Sequence, residues 1–353
     1  MPWKCCEMAY SREIIAKGNA RPPFFVGLDL GGTNIKLGVV DDLGQTLSYL
    51  TVRTEVERGP DDGARRMGEA VHAAIRAAEL TPADVARVGL GSPGTMDIPD
   101  GKLVDPANLP GWRDYPIRDR VRDACGLPVS FANDARAAAY GELWLGSGRG
   151  YKDLILLTLG TGIGCGILLD DLILDGSHSH GGEFGHSIID YHDDARVCGC
   201  GKRGHFEAYA SATAVIHRTR EALDAGRPSS LSRRLAAGEK LTPLLLDEEA
   251  AAGDALSLEI ILETAAFLGV GIVNLMHTID PEIILLGGAM TFGGKPSPLG
   301  RKFLARVQEE VHRRAYRFLA ERTVIDFAAL GGDAGYLGAA GIARREYLKG
   351  QRA

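Results

Sequence analysis

The sequence predicts an α/β protein made of two similar domains that face each other across a cleft. Length is the first observation, because 353 residues exceed what one ordinary core holds. The second is the alternation of short apolar runs with stretches of helical periodicity. The third is recurrence. Leu30-Gly31-Gly32-Thr33 leads to an acidic turn at Asp41-Asp42, and Leu159-Gly160-Thr161-Gly162 leads to another at Asp170-Asp171. Each half opens with strand, Gly/Thr turn, strand and acidic turn.

Residues 1–23 read as a loosely ordered extension ending at Pro22 and Pro23. Strands are predicted at 24–30, 35–40 and 47–56, followed by a helix over 63–80. A strand at 85–91, a helix at 117–125, a strand at 129–132 and a helix at 135–145 complete the first half. The second half starts with strands at 154–159 and 163–169. Helices at 212–225, 231–237 and 256–278 follow, then a buried strand at 283–286 ending in Gly287-Gly288. A helix at 303–319, a strand at 324–328 and an Ala/Gly-rich helix at 335–348 close the chain.

Composition is that of a globular protein, 45% hydrophobic and 24% charged, with 46 glycines that fall largely in clusters. Clustered glycine marks places where backbone approaches a ligand closely. A net charge of −6 leaves no electrostatic footprint for nucleic acid or an anionic membrane. No apolar run is expected to reach membrane-spanning length, and charges throughout residues 1–21 leave no signal-peptide core. A cytoplasmic location is the expectation. Six cysteines in a chain this long do not form a disulfide framework. Cys5 and Cys6 fall in the extension, and Cys125 and Cys165 stand singly. Cys198 and Cys200, set among glycines and charges, require an explanation.

The first chemical motif is Asp29-Leu30-Gly31-Gly32-Thr33-Asn34-Ile35-Lys36. Glycines at a strand end let backbone N–H groups approach phosphate oxygens. Thr33 adds a hydroxyl, Lys36 a positive charge, and Asp29 an oxygen ligand suited to Mg²⁺. An ordinary tight hairpin would use the same residues, but the recurrence at Gly160-Thr161-Gly162 favours phosphate. Two such turns from opposed domains can grip one polyphosphate. The chain has no Walker-type run. Gly89-Leu90-Gly91-Ser92-Pro93-Gly94 has dinucleotide spacing, but Pro93 interrupts it and no helix can follow. Asp134, at a strand-to-helix junction, is a candidate proton acceptor for an alcohol. Asn133 and Asp134 also suit a helix cap. His186, Cys198, Cys200 and His205 offer a tetrahedral zinc set, with His178, His180 and His192 as competitors for the fourth position. Glu183 and Glu207 flank this set. Carboxylates accept paired sugar hydroxyls well, and solvated loop charges are the alternative.

Together these segments resemble the ROK family of sugar kinases and repressors, within the hexokinase/actin-like ATPase fold. The resemblance runs from about Phe24 to the last helix. It is carried by DLGGTNIK at 29–36, GSPG at 91–94, NLPGW at 108–112, ND at 133–134, LGTGIGCG at 159–166, EFGH at 183–186, CGCGKRGHFE at 198–207 and LLGGAM at 285–290. It implies two ribonuclease H-like (actin-like ATPase) domains. Residues 24–134 would form a small α/β domain, with the helix at about 336–353 packing back onto it. Residues 135–335 would form a large α/β domain with the zinc site.

By resemblance, Asp134 is the general base for the 6-hydroxyl of a hexose. Asn108, Asn133, Glu183, His186 and Glu207 bind sugar hydroxyls. Gly31, Gly32, Thr33, Lys36, Gly160, Thr161 and Gly162 hold ATP phosphates, Gly287 and Gly288 lie near adenosine, and Asp29 serves Mg²⁺. The structural Zn²⁺ ligands are His186, Cys198, Cys200 and His205, the last standing where the family normally has cysteine. Glucose is the favoured substrate. N-acetylmannosamine, N-acetylglucosamine, fructose and allose are alternatives, as is polyphosphate for ATP. A sugar-sensing regulator would need a DNA-binding domain, and about 23 residues before the first strand are too few for one. A homodimer or higher homo-oligomer is expected.

Overall fold

The computed structural model describes residues 11–170 and 172–352, so Cys5, Cys6 and Asp171 lie outside the described residues. Two compact units emerge. The first holds the described residues up to Gly150, Gly166–Gly181 and those from Ala329 onward. The second holds Tyr151–Cys165 and Gly182–Ala328. The unit boundary therefore lies beyond the helix that Asp134 opens, where the sequence reading ended the first domain at Asp134 itself.

The first unit begins with β1 (Phe24–Leu30), β2 (Asn34–Val40) and β3 (Thr46–Arg53), then α1 (Pro60–Ala77) and β4 (Val85–Ser92). A small hairpin, β5 (Thr95–Asp97) and β6 (Lys102–Asp105), precedes α2 (Ile117–Cys125), β7 (Val129–Asn133) and α3 (Asp134–Leu145). Its sheet has the order β3-β2-β1-β4-β7. β1 to β3 are antiparallel neighbours, and β4 and β7 add in parallel. Alternation along β1 sends Val26, Leu28 and Leu30 into a core shared with Met67, Val71 and Ile75 of α1. Helix α1 starts three residues before its predicted position, because Pro60 is already set for a first helical turn.

The second sheet has the order β10-β9-β8-β11-β12, from β8 (Leu154–Leu159), β9 (Ile163–Leu169), β10 (Leu172–Ile173), β11 (Ile283–Gly288) and β12 (Val324–Phe327). The units divide inside β9, at Gly166. β11 pairs in parallel with β8 and β12, as β4 does with β1 and β7. One spatial order is used twice, as the recurrent Gly/Thr turns predicted.

Helices α4 (Glu207–Ala210), α5 (Ala212–Asp224), α6 (Leu231–Ala236), α7 (Pro243–Ala251) and α8 (Ala255–Ile279) lie between β10 and β11. α9 (Pro298–Arg314) and α10 (Arg317–Ala320) precede β12, and α11 (Ala334–Arg352) closes the chain. The predicted helix over 303–319 is two helices. Ser297 caps α9 at Leu299 and Gly300, and Ala315 is extended with ψ 157°.

Two expectations are corrected. α8 is 25 residues long with a window of mean hydropathy 1.9, so by length and composition it does reach a membrane-spanning size. It is a core helix, with 61% of that window buried. The extension is also anchored from residue 12 on, through polar contacts its composition does not advertise. Ile15 donates its N–H to the Thr46 carbonyl at 2.9 Å, and Arg21 donates to Asp41 Oδ2 at 2.9 Å.

On the other face of the first sheet lies α11. Methyl groups built on Gly27 or Gly89 would collide with the carbonyls of Tyr336 and Ala339, so glycine lets helix and sheet approach backbone to backbone. α11 also packs on α3, which is why 135–150 group with the first unit.

Candidate active site

In the first unit, the turn between β1 and β2 is closed by Gly31 N–H donating to Asn34 O at 3.0 Å. Thr54 braces it twice. Its hydroxyl donates to Gly31 O at 2.6 Å and its N–H to Thr33 O at 2.9 Å. Asn108 lies against Gly32, with its carbonyl 2.9 Å from where a Gly32 Cβ would stand. Gly32 and Thr33 are exposed at the turn, as phosphate contact through backbone N–H groups requires.

Asp29 and Lys36 are direct cross-strand partners. Burial raises the Asp29 carboxyl above its ordinary range, and the Lys36 charge partly offsets this. A desolvated carboxylate at a strand end gains most from a cation, so Asp29 fits the proposed Mg²⁺. Lys36 Nζ donates to Gly332 O at 3.1 Å, and a methyl on Gly335 would overlap the Asp29 carboxylate. The Gly331-Gly332-Asp333-Ala334-Gly335 segment thus packs on the β1–β2 hairpin at Lys36 and Asp29. The Gly331-Gly332 pair, a few residues after a predicted strand, was the signal for it, as Gly31-Gly32 was for the first turn.

Asp134 is the first residue of α3. Asn133 is the N-cap, its Oδ1 accepting from Ala135 N–H at 3.0 Å and Arg136 N–H at 3.3 Å. Asp134 Oδ1 accepts from Ala135 N–H at 2.8 Å. The two readings of this dipeptide separate. Asn133 carries the cap, and the half-buried Asp134 carboxylate is held at a helix N-terminus, where negative charge is favoured.

In the second unit, Gly160 N–H donates to Gly162 O at 3.0 Å and closes the matching turn. Ala212 N–H and the Thr213 hydroxyl bind the carbonyls of Gly160 and Thr161 at 2.9 and 2.8 Å. Glu207, at the start of α4, presses on this turn. Its Oε2 accepts from Ile163 N–H at 3.3 Å and would stand 2.5 Å from a Gly162 Cβ. Glu183 is exposed just before the single turn Phe184–His186. At the end of β11, Gly287 is buried and Gly288, at φ 88°, is exposed in a conformation that favours glycine.

His186, Cys198, Cys200 and His205 converge, with one ligand atom from each inside a mutual 4.8 Å. Cys198 Sγ is 3.6 Å from His186 Nδ1, Cys200 Sγ is 3.3 Å from His205 Nδ1, and the two Nδ1 atoms are 3.2 Å apart. A tetrahedral zinc with bonds of about 2.0–2.3 Å sets ligand edges of about 3.3–3.8 Å, and these three separations suit it. Burial lowers His205 from its ordinary value, with His186 adding to the effect, which favours the neutral, ligating imidazole. Burial, reinforced by Glu207 against a lowering from the Cys200 N–H, pushes the Cys198 thiol up to about 12. That thiol donates to Glu207 Oε1 at 2.9 Å, so Glu207 ties the cysteine cluster to the Gly160–Gly162 turn. Two of the competing histidines bond elsewhere, His192 Nδ1 with Asp190 at 2.8 Å and His180 with the His178 carbonyl.

The ROK family profile matches residues 25–346. The chain belongs to the ROK family. A glucokinase of Halalkalibacterium halodurans is 31% identical to this ROK protein over 323 residues, covering 92% of this chain and 96% of the relative. Curated ROK relatives also include xylose repressors. Among solved structures, the ROK hexokinase of Thermus thermophilus has TM-score 0.77 and 33% identity, over 94% of this chain and 100% of that one. A ROK glucokinase of Streptomyces griseus, solved with glucose and AMPPNP, has TM-score 0.71 and 31% identity, over 91% and 99%. The paired α/β sheets of this ROK protein are those of the actin-like ATPase fold shared by ROK sugar kinases.

Proposed function

We propose that this ROK protein is an ATP-dependent hexose kinase that converts glucose to glucose 6-phosphate. The 6-hydroxyl oxygen attacks the γ-phosphorus, the bond from that phosphorus to the β,γ-bridging oxygen breaks, and ADP leaves. Asp134 accepts the hydroxyl proton, so the attacking oxygen gains electron density as the new bond forms. Exposed Gly32 and Thr33, and the Gly160–Gly162 turn with Thr161 exposed, offer backbone donors for the negative charge on the phosphates. Bound Mg²⁺, with Asp29 as a ligand, would supply charge neutralisation of the phosphates.

Glu183 and Glu207 accept sugar hydroxyls in this reading, assisted by Asn108, Asn133 and His186. Zinc held by His186, Cys198, Cys200 and His205 would be structural, since four protein ligands leave no position for a reacting water. Its effect falls on Glu207, which touches Cys198 directly.

The observation that carries the proposal is the Asp134 carboxylate at the N-terminus of α3, in a fold that matches a relative solved with glucose and an ATP analogue. A coupled ADP-release assay over a panel of hexoses, with ATP and polyphosphate compared, tests it. Glucose with ATP is expected to give the highest kcat/KM. No ADP release with any hexose would overturn the kinase reading. Equal rates with polyphosphate would broaden the donor.

A further inference from the structure

Arg12 lies in the extension, outside every motif that carries chemistry. Its Nε donates to Asp333 Oδ2 at 3.0 Å, and its Nη2 reaches the other carboxylate oxygen. The guanidinium also lies 3.3 Å above the centre of the Tyr49 ring on β3. Asp333 is only 8% exposed, and Arg12 is its charged partner. Its neighbour Gly332 supplies the carbonyl that binds Lys36, and Lys36 stands across the strand pair from Asp29.

We propose that Arg12 is a positioning residue for nucleotide binding: its paired contact with Asp333 fixes the Gly331–Asp333 turn, and that turn holds Lys36 beside Asp29. Without Arg12, an unneutralised carboxylate is left next to the carbonyl that binds the Lys36 ammonium. It then competes for that ammonium and draws Lys36 away from the phosphate hairpin. Asp333 is the buried member of the pair, so removing Arg12 leaves a buried carboxylate without its cation. Among the residues assigned to sugar, Asn133, Glu183, His186 and Glu207 make no contact in this chain of bonds, and Asn108 meets the hairpin at Gly32 rather than at Lys36, so the effect falls on the nucleotide. The proposal rests on the kinase reading above for its choice of ligand.

The test compares wild type, Arg12→Met, Arg12→Lys, Asp333→Asn and the double variant Arg12→Met/Asp333→Asn in the full chain. Kinetics are measured against MgATP and glucose separately, and MgADP binding by calorimetry. Arg12→Met is expected to raise KM for MgATP and Kd for MgADP about tenfold, the effect of one lost charge-assisted hydrogen bond. KM for glucose should not move. Arg12→Lys should recover part of the loss. The double variant should bind nucleotide better than Arg12→Met alone, because the orphaned charge is gone. Asp333→Asn keeps the question open to measurement if Arg12→Met fails to fold.

Unchanged nucleotide affinity, or equal losses for both substrates, would overturn the role. If wild type phosphorylates no hexose yet binds MgADP, the calorimetric contrast between wild type and Arg12→Met still decides it. Absence of MgADP binding by wild type would overturn both readings.

Discussion

Single residues carry the chemistry through local geometry. Asp134 is oriented by Ala135 N–H, while Asn133 takes the capping role. Asp134→Asn is therefore expected to lower kcat by about 10²–10⁴-fold with KM values and thermal unfolding near those of wild type. Steady-state kinetics paired with a melting curve checks both parts. Residues of this kind were legible in the sequence because their signals are short-range. A Gly/Thr turn after an apolar strand fixes where Asp29 and Lys36 sit, and a Cys-x-Cys knuckle needs only its flanking histidines. Gly332 and Gly335 were not legible. They meet Lys36 and Asp29 across about 300 residues of chain, and no local pattern encodes such a meeting.

Elements are held by how closely their backbones pass. A methyl on Gly338 of α11 would collide with the Ala137 carbonyl of α3. Gly338→Ala is expected to cost roughly 1–3 kcal/mol of stability, as overpacking does. Because α3 carries Asp134, kcat should fall with stability, and denaturant melts run beside kinetics would show the two together.

Glu310 holds a second test, on α9. Burial raises its carboxyl, but Arg313 and Arg314 outweigh that and keep it at about 2. A carboxyl lowered in the folded state stabilises fully above its unfolded value and loses that contribution as pH falls through its folded value. The melting temperature of wild type should therefore fall more steeply between about pH 5 and about pH 2 than that of Glu310→Gln.

Most strands and helices followed from hydrophobic periodicity. The boundaries of α9 did not, because the Ser297-Pro298 start signal lies ahead of the apolar stripe that marks a helix interior. The β5–β6 hairpin is too short for periodicity to register at all.

For the molecule as a whole, the cysteine–histidine cluster is expected to act as a clamp on the loop-rich stretch from Glu183 to Glu207. Purified protein should contain about one zinc per chain, and prolonged chelation should lower the melting temperature and kcat/KM for glucose together. Elemental analysis with calorimetry before and after chelation measures this. Zinc-free protein with unchanged melting and activity would remove the clamp. The duplicated sheet order was foreseeable from the two Gly/Thr turns. The unit boundaries were not, because they depend on which helices pack on which sheet.

The chain passes between the two units at Gly150, Cys165, Gly181 and Ala328. During synthesis, β4 leaves the ribosome about 240 residues and β1 about 300 residues ahead of α11, the helix that covers their glycine-marked face. That face stays bare until α11 has emerged. A nascent chain stalled before Ala334 should accordingly be a chaperone client and a target for proteolysis, whereas a chain that carries α11 should not.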